Sequence, residues 1–191
     1  MSERARATTT VWRGVRWVMR QAERGFALVG LGTVVYFCCF SYSRVVSGSM
    51  APTLQGEDWE TGDRVLTEKV SYWFRQPRRW EVVTFRPDGG GEVMKRVVGL
   101  PGERIQMRRG GRIFIDGREV PPPERLDFLH YFPFGKLIQD QVVDCGDGYF
   151  VLGDDSRDSD DSRFNGPVPP ERIIGRAWVI LGPAGRRGWV R

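Results

Sequence analysis

Residues 92–103 read EVMKRVVGLPGE. The stretch Val93 to Val98 is rich in β-branched residues and is stopped by Gly-Leu-Pro-Gly, the composition of a short strand running into a turn. Side chains alternate between the two faces of a strand, so Val93, Lys95 and Val97 share one face. If that face is buried, Lys95 is desolvated, which disfavours the ammonium form and lowers the pKa. A neutral lysine amine is a general base, a task arginine cannot take because it does not deprotonate. The choice of lysine is unusual for this chain: of 29 basic residues only Lys69, Lys95 and Lys136 are not arginine. Read alone, Lys95 and Arg96 fit equally well at an exposed sheet edge guarded by charge.

The same pattern recurs on both sides. From Arg44 to Arg191 the chain consists of short β-branched and aromatic runs broken by Gly, Pro and Asp. Candidate strands are Arg64–Tyr72, Trp80–Phe85, Glu92–Val98, Arg112–Ile115, Glu119–Val120, Tyr149–Leu152 and Ile173–Leu181. Short strands with regular turn signals predict an all-β domain. Asp116-Gly117 is the signal of a type I′ hairpin turn. Residues 106–141 read as a small inserted β region, a hairpin followed by the irregular aromatic stretch LDFLHYFPF. That leaves 44–105 and 142–191 as the main β core. Gly89–Gly91 and Pro121–Pro123 read as surface loops.

Before this domain, residues 25–43 form nineteen uncharged positions, GFALVGLGTVVYFCCFSYS. A spanning helix needs about 20 mostly apolar residues, so the run is long enough to be one. Arg4, Arg6, Arg13, Arg16, Arg20 and Arg24 precede it. By the positive-inside rule, residues 1–24 are a basic cytoplasmic tail and the β domain lies on the far side of the bilayer. Trp17, Tyr36 and Tyr42 suit interfacial anchors. A buried core helix is the alternative for so short a run. Cleavage as a signal peptide is disfavoured by Phe37, Cys38, Cys39 and Phe40, which make a poor small-residue site.

Composition narrows the chemistry. A chain of 191 residues is one domain, or one with a small insert. Residues 1–24 carry six Arg and two Glu, and they account for most of the net charge of +5. The remainder is near neutral, which argues against a nucleic-acid partner. With His130 the single histidine, Cys38 and Cys39 in the apolar run and Cys145 by itself, there is no zinc spacing and no disulfide framework. No metal and no cofactor is expected.

Two further segments carry chemistry. VVSGSMAPTL, residues 45–54, puts Ser47 and Ser49 around Gly48 in a turn that can point a hydroxyl at a substrate. By itself it is also a plain Ser/Gly linker. GDDSRDSDDSR, residues 153–163, is a dense polar loop entered from the strand YFVL. It can be a solvated or cation-binding loop, although it lacks the flanking helices and terminal glutamate of a calcium loop. It can equally pack under an active site, with a serine fixing the lysine and an Asp–Arg pair bracing the turn.

Taken together, the order is an apolar anchor, SGSM-x-PTL, KR-V-x-GLPG and then GDxS-x-x-S-x-DSR. This resembles the type I signal peptidases, membrane-anchored Ser/Lys proteases, over motifs covering about a third of the domain. The resemblance implies an all-β catalytic core with a variable second β region, here the insert at 106–141. It implies Ser49 as nucleophile and Lys95 as general base. Ser47, through its hydroxyl, and the Ser49 backbone N–H would form the oxyanion hole. Ser159 is similar to the family serine that hydrogen-bonds the lysine amine. Asp161 and Arg163 resemble its bracing ion pair, with Asp154 and Arg96 as nearby supports.

It implies removal of signal peptides from secretory precursors after small residues, in an Ala-x-Ala pattern, with Val45, Met50, Val93 and Met94 lining the pockets. The lipid bilayer is the other expected partner, with Tyr72, Trp73, Phe74 and Trp80 as candidates for lipid contact or for core. The implied location is a bacterial plasma membrane, single-pass, with the catalytic domain outside. One departure is Asp155 where many bacterial members have asparagine; a carboxylate close to Lys95 would raise its pKa. The alternatives are a maturation protease dedicated to one substrate, or an inactive homologue acting as a membrane-anchored binding module.

Overall fold

The apolar run after Arg24 is helical, as the spacing predicts, but the helix ends sooner at its C-terminal side. The computed structural model describes residues 3–191, and of residues 3–11, 13, 15 and 139 the backbone only. Met1, Ser2 and the side chains of Arg4, Arg6 and Arg13 in the predicted basic tail therefore lie outside the described residues. Helix α1 spans Glu3–Cys39. Its segment Arg16–Cys39 is long and apolar enough to cross a bilayer. The large side chains there are exposed; Phe26 is 77% and Leu28 70% accessible. A run of exposed apolar side chains of this size marks an interaction surface.

Phe40–Arg44 is strand β1, although the sequence reading placed residues 40–43 at the end of the membrane segment. Its residues pair antiparallel with Arg64–Glu68 (β2), Phe40 opposite Glu68 and Arg44 opposite Arg64. The aromatic and hydroxyl alternation of FSYSR suits a half-buried strand edge better than a continued helix.

The chain folds as two compact units, Met1–Cys39 and Phe40–Arg191. The second unit is all-β. Beyond β1 and β2 its strands are β3 (Val82–Phe85), β4 (Val93–Gly99), β5 (Arg104–Arg108), β6 (Arg112–Ile115), β7 (Arg118–Glu119), β8 (Val142–Asp144), β9 (Phe150–Leu152), β10 (Ile173–Gly182) and β11 (Gly188–Trp189). Two short helices interrupt them, α2 (Ser71–Phe74) and α3 (Ser162–Asn165). One seven-stranded sheet runs β1-β2-β10-β3-β4-β9, with β11 beside β10; a four-stranded sheet runs β7-β6-β5-β8. The all-β expectation is borne out.

The differences are local. The strand expected to reach Tyr72 stops at Glu68, where the carboxylate accepts from Ser71 N at 2.9 Å and starts a helical turn. Strands β5, β8 and β11 are not among the candidates: β8 and β11 are only three and two residues long, whereas β5, RIQMR, alternates strictly and its signal was missed. The second sheet spans Arg104 to Asp144, so the predicted insert boundary at 106 falls inside β5. The Asp116-Gly117 turn is as expected, with φ of 49° and 81°, the paired left-handed geometry of a type I′ hairpin.

Three apolar clusters hold the domain. One, with Ile105, Met107, Leu126 and Leu137, lies under the second sheet and includes Trp80, which is core. Of the other aromatic candidates for lipid contact, Trp73 and Phe74 are exposed at 59% and 84%. Tyr72 is half-buried and donates to Glu81. A second cluster joins Met50, Leu54, Val65, Val82 and Met94. The third joins Val83, Val97, Tyr149 and Val151.

Candidate active site

Residues Gly48–Met50 form one turn of 3₁₀ helix, closed by Ala51 N donating to Gly48 O at 2.8 Å. Met50 is its anchor, 2% exposed within the cluster that includes Met94. Burying a methionine side chain is worth about 1.5–3 kcal/mol, enough to hold so short a turn in one place. Ser49 is thereby fixed at the floor of a cleft of about 660 Å³, lined also by Val45, Ser47, Met50, Val93, Met94 and Lys95.

Lys95 reaches the same point from β4, where it stands opposite Val83. It is 3% exposed. Its Nζ donates to Ser49 Oγ at 2.6 Å. Ser47 Oγ lies 3.1 Å from Ser49 Oγ. Burial pushes the Lys95 pKa down, and the carboxylates of Asp161, Asp160 and Asp154 push weakly against that, with a net lowering. Asp155 is turned to other work: its N–H donates to Ser49 O at 3.2 Å and its carboxylate accepts from Arg157 N.

Two fully buried ion pairs brace the elements that meet here. Arg96, the neighbour of Lys95 on β4, is bidentate to Asp154, with Nε–Oδ1 at 2.7 Å and Nη2–Oδ2 at 2.6 Å. Arg163 is bidentate to Asp161, both contacts at 2.8 Å. Such pairs are retained only where every polar atom is satisfied. Asp161 also accepts from Gly153 N at 3.0 Å and from Ser159 Oγ at 2.7 Å. The Ser159 hydroxyl donates to Asp161, and the bond to the lysine amine that the resemblance implies would be one it accepts. Gly153 is required where it stands: a Cβ there would fall 2.2 Å from Ser159 Oγ and 2.5 Å from Ser49 O.

Two residues passed over in the sequence complete the network. Thr53 Oγ1 donates to Asp154 Oδ2 at 2.5 Å and accepts from Arg96 Nη2 at 3.0 Å, tying the serine turn to the Arg96 pair. Its signal was its place in SGSM-x-PTL. Ser156 Oγ, 3% exposed, accepts from Arg163 Nη1 at 2.6 Å and from Phe132 N at 2.9 Å. It joins the catalytic loop to the aromatic stretch of the insert, and sequence spacing carries no trace of that contact.

A serine hydroxyl beside a buried lysine, on an all-β scaffold, is equipped for nucleophilic attack on a carbonyl without histidine. The model of the family described as signal peptidase, peptidase S26, matches residues 18–181. A signal peptidase I of Leptolyngbya laminosa is 37% identical over 75% of this chain and 70% of its own. A signal peptidase I of Bacillus caldolyticus is 30% identical over 86% of this chain and 88% of its own. The thylakoidal processing peptidase 1 of Arabidopsis thaliana, chloroplastic, is 35% identical over 82% of this chain and 46% of its own. The class is therefore a serine endopeptidase, a hydrolase of peptide bonds. Within that class the chain belongs to the signal peptidase family, peptidase S26, and it removes signal peptides.

Proposed function

We propose that Ser49 is the nucleophile and Lys95 the general base, and that the enzyme cuts secretory precursors after an Ala-x-Ala pattern. The observation that carries this reading is the 2.6 Å contact between Lys95 Nζ and Ser49 Oγ at the floor of the cleft. With the amine neutral, the contact reverses and the Ser49 hydroxyl donates to the Lys95 lone pair. The substrate lies extended between residues 43–47 and the start of β4 as an added strand.

Ser49 Oγ attacks the scissile carbonyl carbon while Lys95 takes its proton. Ser47 Oγ and the Ser49 N–H donate to the oxyanion; one donor of this kind is typically worth about 3–4 kcal/mol. Lys95 then returns the proton to the leaving amine, the C–N bond breaks and an ester to Ser49 remains. Water, deprotonated by Lys95, attacks that ester, and Ser49 is regenerated. Asp154, Arg96, Asp161, Arg163 and Ser159 act by holding the strand and loop that carry the two reacting groups. Val45, Met50, Val93 and Met94 form the apolar walls against which small side chains fit.

The segment within Arg16–Cys39 crosses the bacterial plasma membrane once, with the arginine-rich end in the cytoplasm and the catalytic domain outside. Tethering to the bilayer raises the effective concentration of the site toward signal peptides, which emerge from the same surface.

The test is cleavage of a secretory precursor with an Ala-x-Ala site, in detergent, by wild type and by Lys95→Ala. Cutting at that site by wild type alone is the expected result. Cutting by both overturns the role of Lys95. Cutting by neither, with folded protein, overturns the general Ala-x-Ala specificity in favour of a single dedicated substrate or of an inactive homologue.

A further inference from the structure

The cleft is bounded by two strand edges that lack a partner on the cleft side. In β4, Val93, Met94 and Lys95 pair with Phe85, Thr84 and Val83 on one side, while pairing with β9 on the other side begins only at Arg96. At the other end of the sheet, β1 pairs with β2 alone. The extended substrate of the proposed function would lie between these edges. The free edge of β4 is three residues long, about 10 Å at roughly 3.3 Å per residue. Beyond it lies Glu92, then Gly91 and Gly90 with φ of 76° and 81°, which turn the backbone out of strand geometry.

At that limit the gap is crossed. Ser41 and Ser43 are two positions apart on β1, so they share a face. The Ser43 hydroxyl donates to Glu92 Oε2 at 2.5 Å, and the Ser41 hydroxyl lies 3.4 Å from both oxygens of the same carboxylate. Arg86 Nη2, 3.7 Å away, holds the carboxylate from β4's own side of the gap. The Ser43–Glu92 hydrogen bond spans the gap between the two edges, so a strand that continues between them has to displace it.

We propose that Glu92, bridged to Ser43 and Ser41, is a latch at the end of the cleft. It confines the substrate strand to three residues along β4, and it must open when the peptide continues upstream of the third. This deepens the reading of the cleft given above and rests on it. Glu92 is then a specificity-determining residue that selects on substrate length and on the path of the chain leaving the cleft, whereas the apolar walls select on side-chain size.

The experiment uses the full chain in detergent and two synthetic peptides with the same Ala-x-Ala site. One begins at the third residue before the cut; the other extends about eight residues further upstream. The readout is the ratio of kcat/KM for long over short peptide. Glu92→Ala and Ser43→Ala each raise that ratio about tenfold, the equivalent of one charge-assisted hydrogen bond no longer broken on binding. Glu92→Gln, which still accepts from Ser43 but without the charge, gives a ratio between those of wild type and Glu92→Ala. A ratio unchanged in Glu92→Ala and Ser43→Ala overturns the latch. So does Glu92→Gln matching Glu92→Ala, which would make the element a charge and not a bridge. Failure of wild type to cut either peptide, or cutting by Lys95→Ala, would instead overturn the reading of the site.

Discussion

Lys95 Nζ and Ser49 Oγ lie 2.6 Å apart although 46 positions separate them in the chain. Each is buried, and each arrives from a different element, one from a strand and one from a 3₁₀ turn pinned by Met50. Deleting either group should stop cleavage and leave the fold. Ser49→Ala and Lys95→Ala each lower kcat by about 10³-fold or more, while far-UV circular dichroism stays that of wild type. Lys95→Arg is as inactive as Lys95→Ala, because a guanidinium holds its proton. Turnover near wild type in the arginine variant would remove the general-base role.

The rate should rise with pH. The base works as the free amine, and burial holds the Lys95 pKa below the ordinary lysine range. Cleavage therefore increases as pH rises through that lowered pKa and then levels off. A rate constant from about pH 6 to pH 10 contradicts this. The profile is read from kcat/KM with a peptide free of titrating groups near the cut.

The same burial carries a stability signature of definite sign. In the unfolded chain Lys95 titrates near about 10.4, and in the folded protein at a lower pH. Between the two values the unfolded state binds more protons, so stability grows as pH rises. Lys95→Met removes this dependence. It should melt at higher temperature than wild type at neutral pH. The difference should shrink as pH climbs through the lysine range. A melting difference independent of pH would refute the linkage.

The two braces differ from surface ion pairs. Asp161→Asn leaves the Arg163 guanidinium buried with its charge uncompensated, which costs about 3–5 kcal/mol. Urea unfolding measures it. A loss below about 1 kcal/mol would mean that the pair is as weak as one in solvent.

Ser156→Ala takes away the acceptor shared by Phe132 N and Arg163 Nη1. Phe132 N loses this partner, while Arg163 Nη1 keeps Phe132 O at 3.1 Å, so the cost is about 1–3 kcal/mol if no water replaces the hydroxyl. Hydrogen exchange at the Phe132 amide should accelerate together with exchange across residues 153–163. Acceleration in the insert alone would show that the two segments are not coupled through this hydroxyl.

Local sequence carried the fold class because it rests on short-range physics. Runs such as Val82–Phe85 and Arg112–Ile115 have the side chains that suit a pleated surface, and Asp116-Gly117 tolerates the turn's left-handed φ values. The apolar run after Arg24 is legible for the same reason, since length and the absence of charge are sufficient. Its end at Cys39 was not legible: whether Phe40–Arg44 continues a helix or joins a sheet depends on Arg64–Glu68 being alongside.

The residues that meet around Ser49 and Lys95 could be picked from the sequence because three motifs, each ordinary alone, occur in a fixed order. Their contacts could not. Nothing in the spacing says that Ser159 bonds to Asp161, that Thr53 reaches Asp154, or that Ser43 meets Glu92 across the cleft. Those partners are chosen by where the chain crosses itself, and hydrogen bonds decay over a few tenths of an ångström. Sequence by itself determined which chemical groups this protein owns and which local shapes they favour. Only the packing of β4, the serine turn and the loop 153–163 around one point decided that a lysine would be dry, beside a serine, and able to give up its proton.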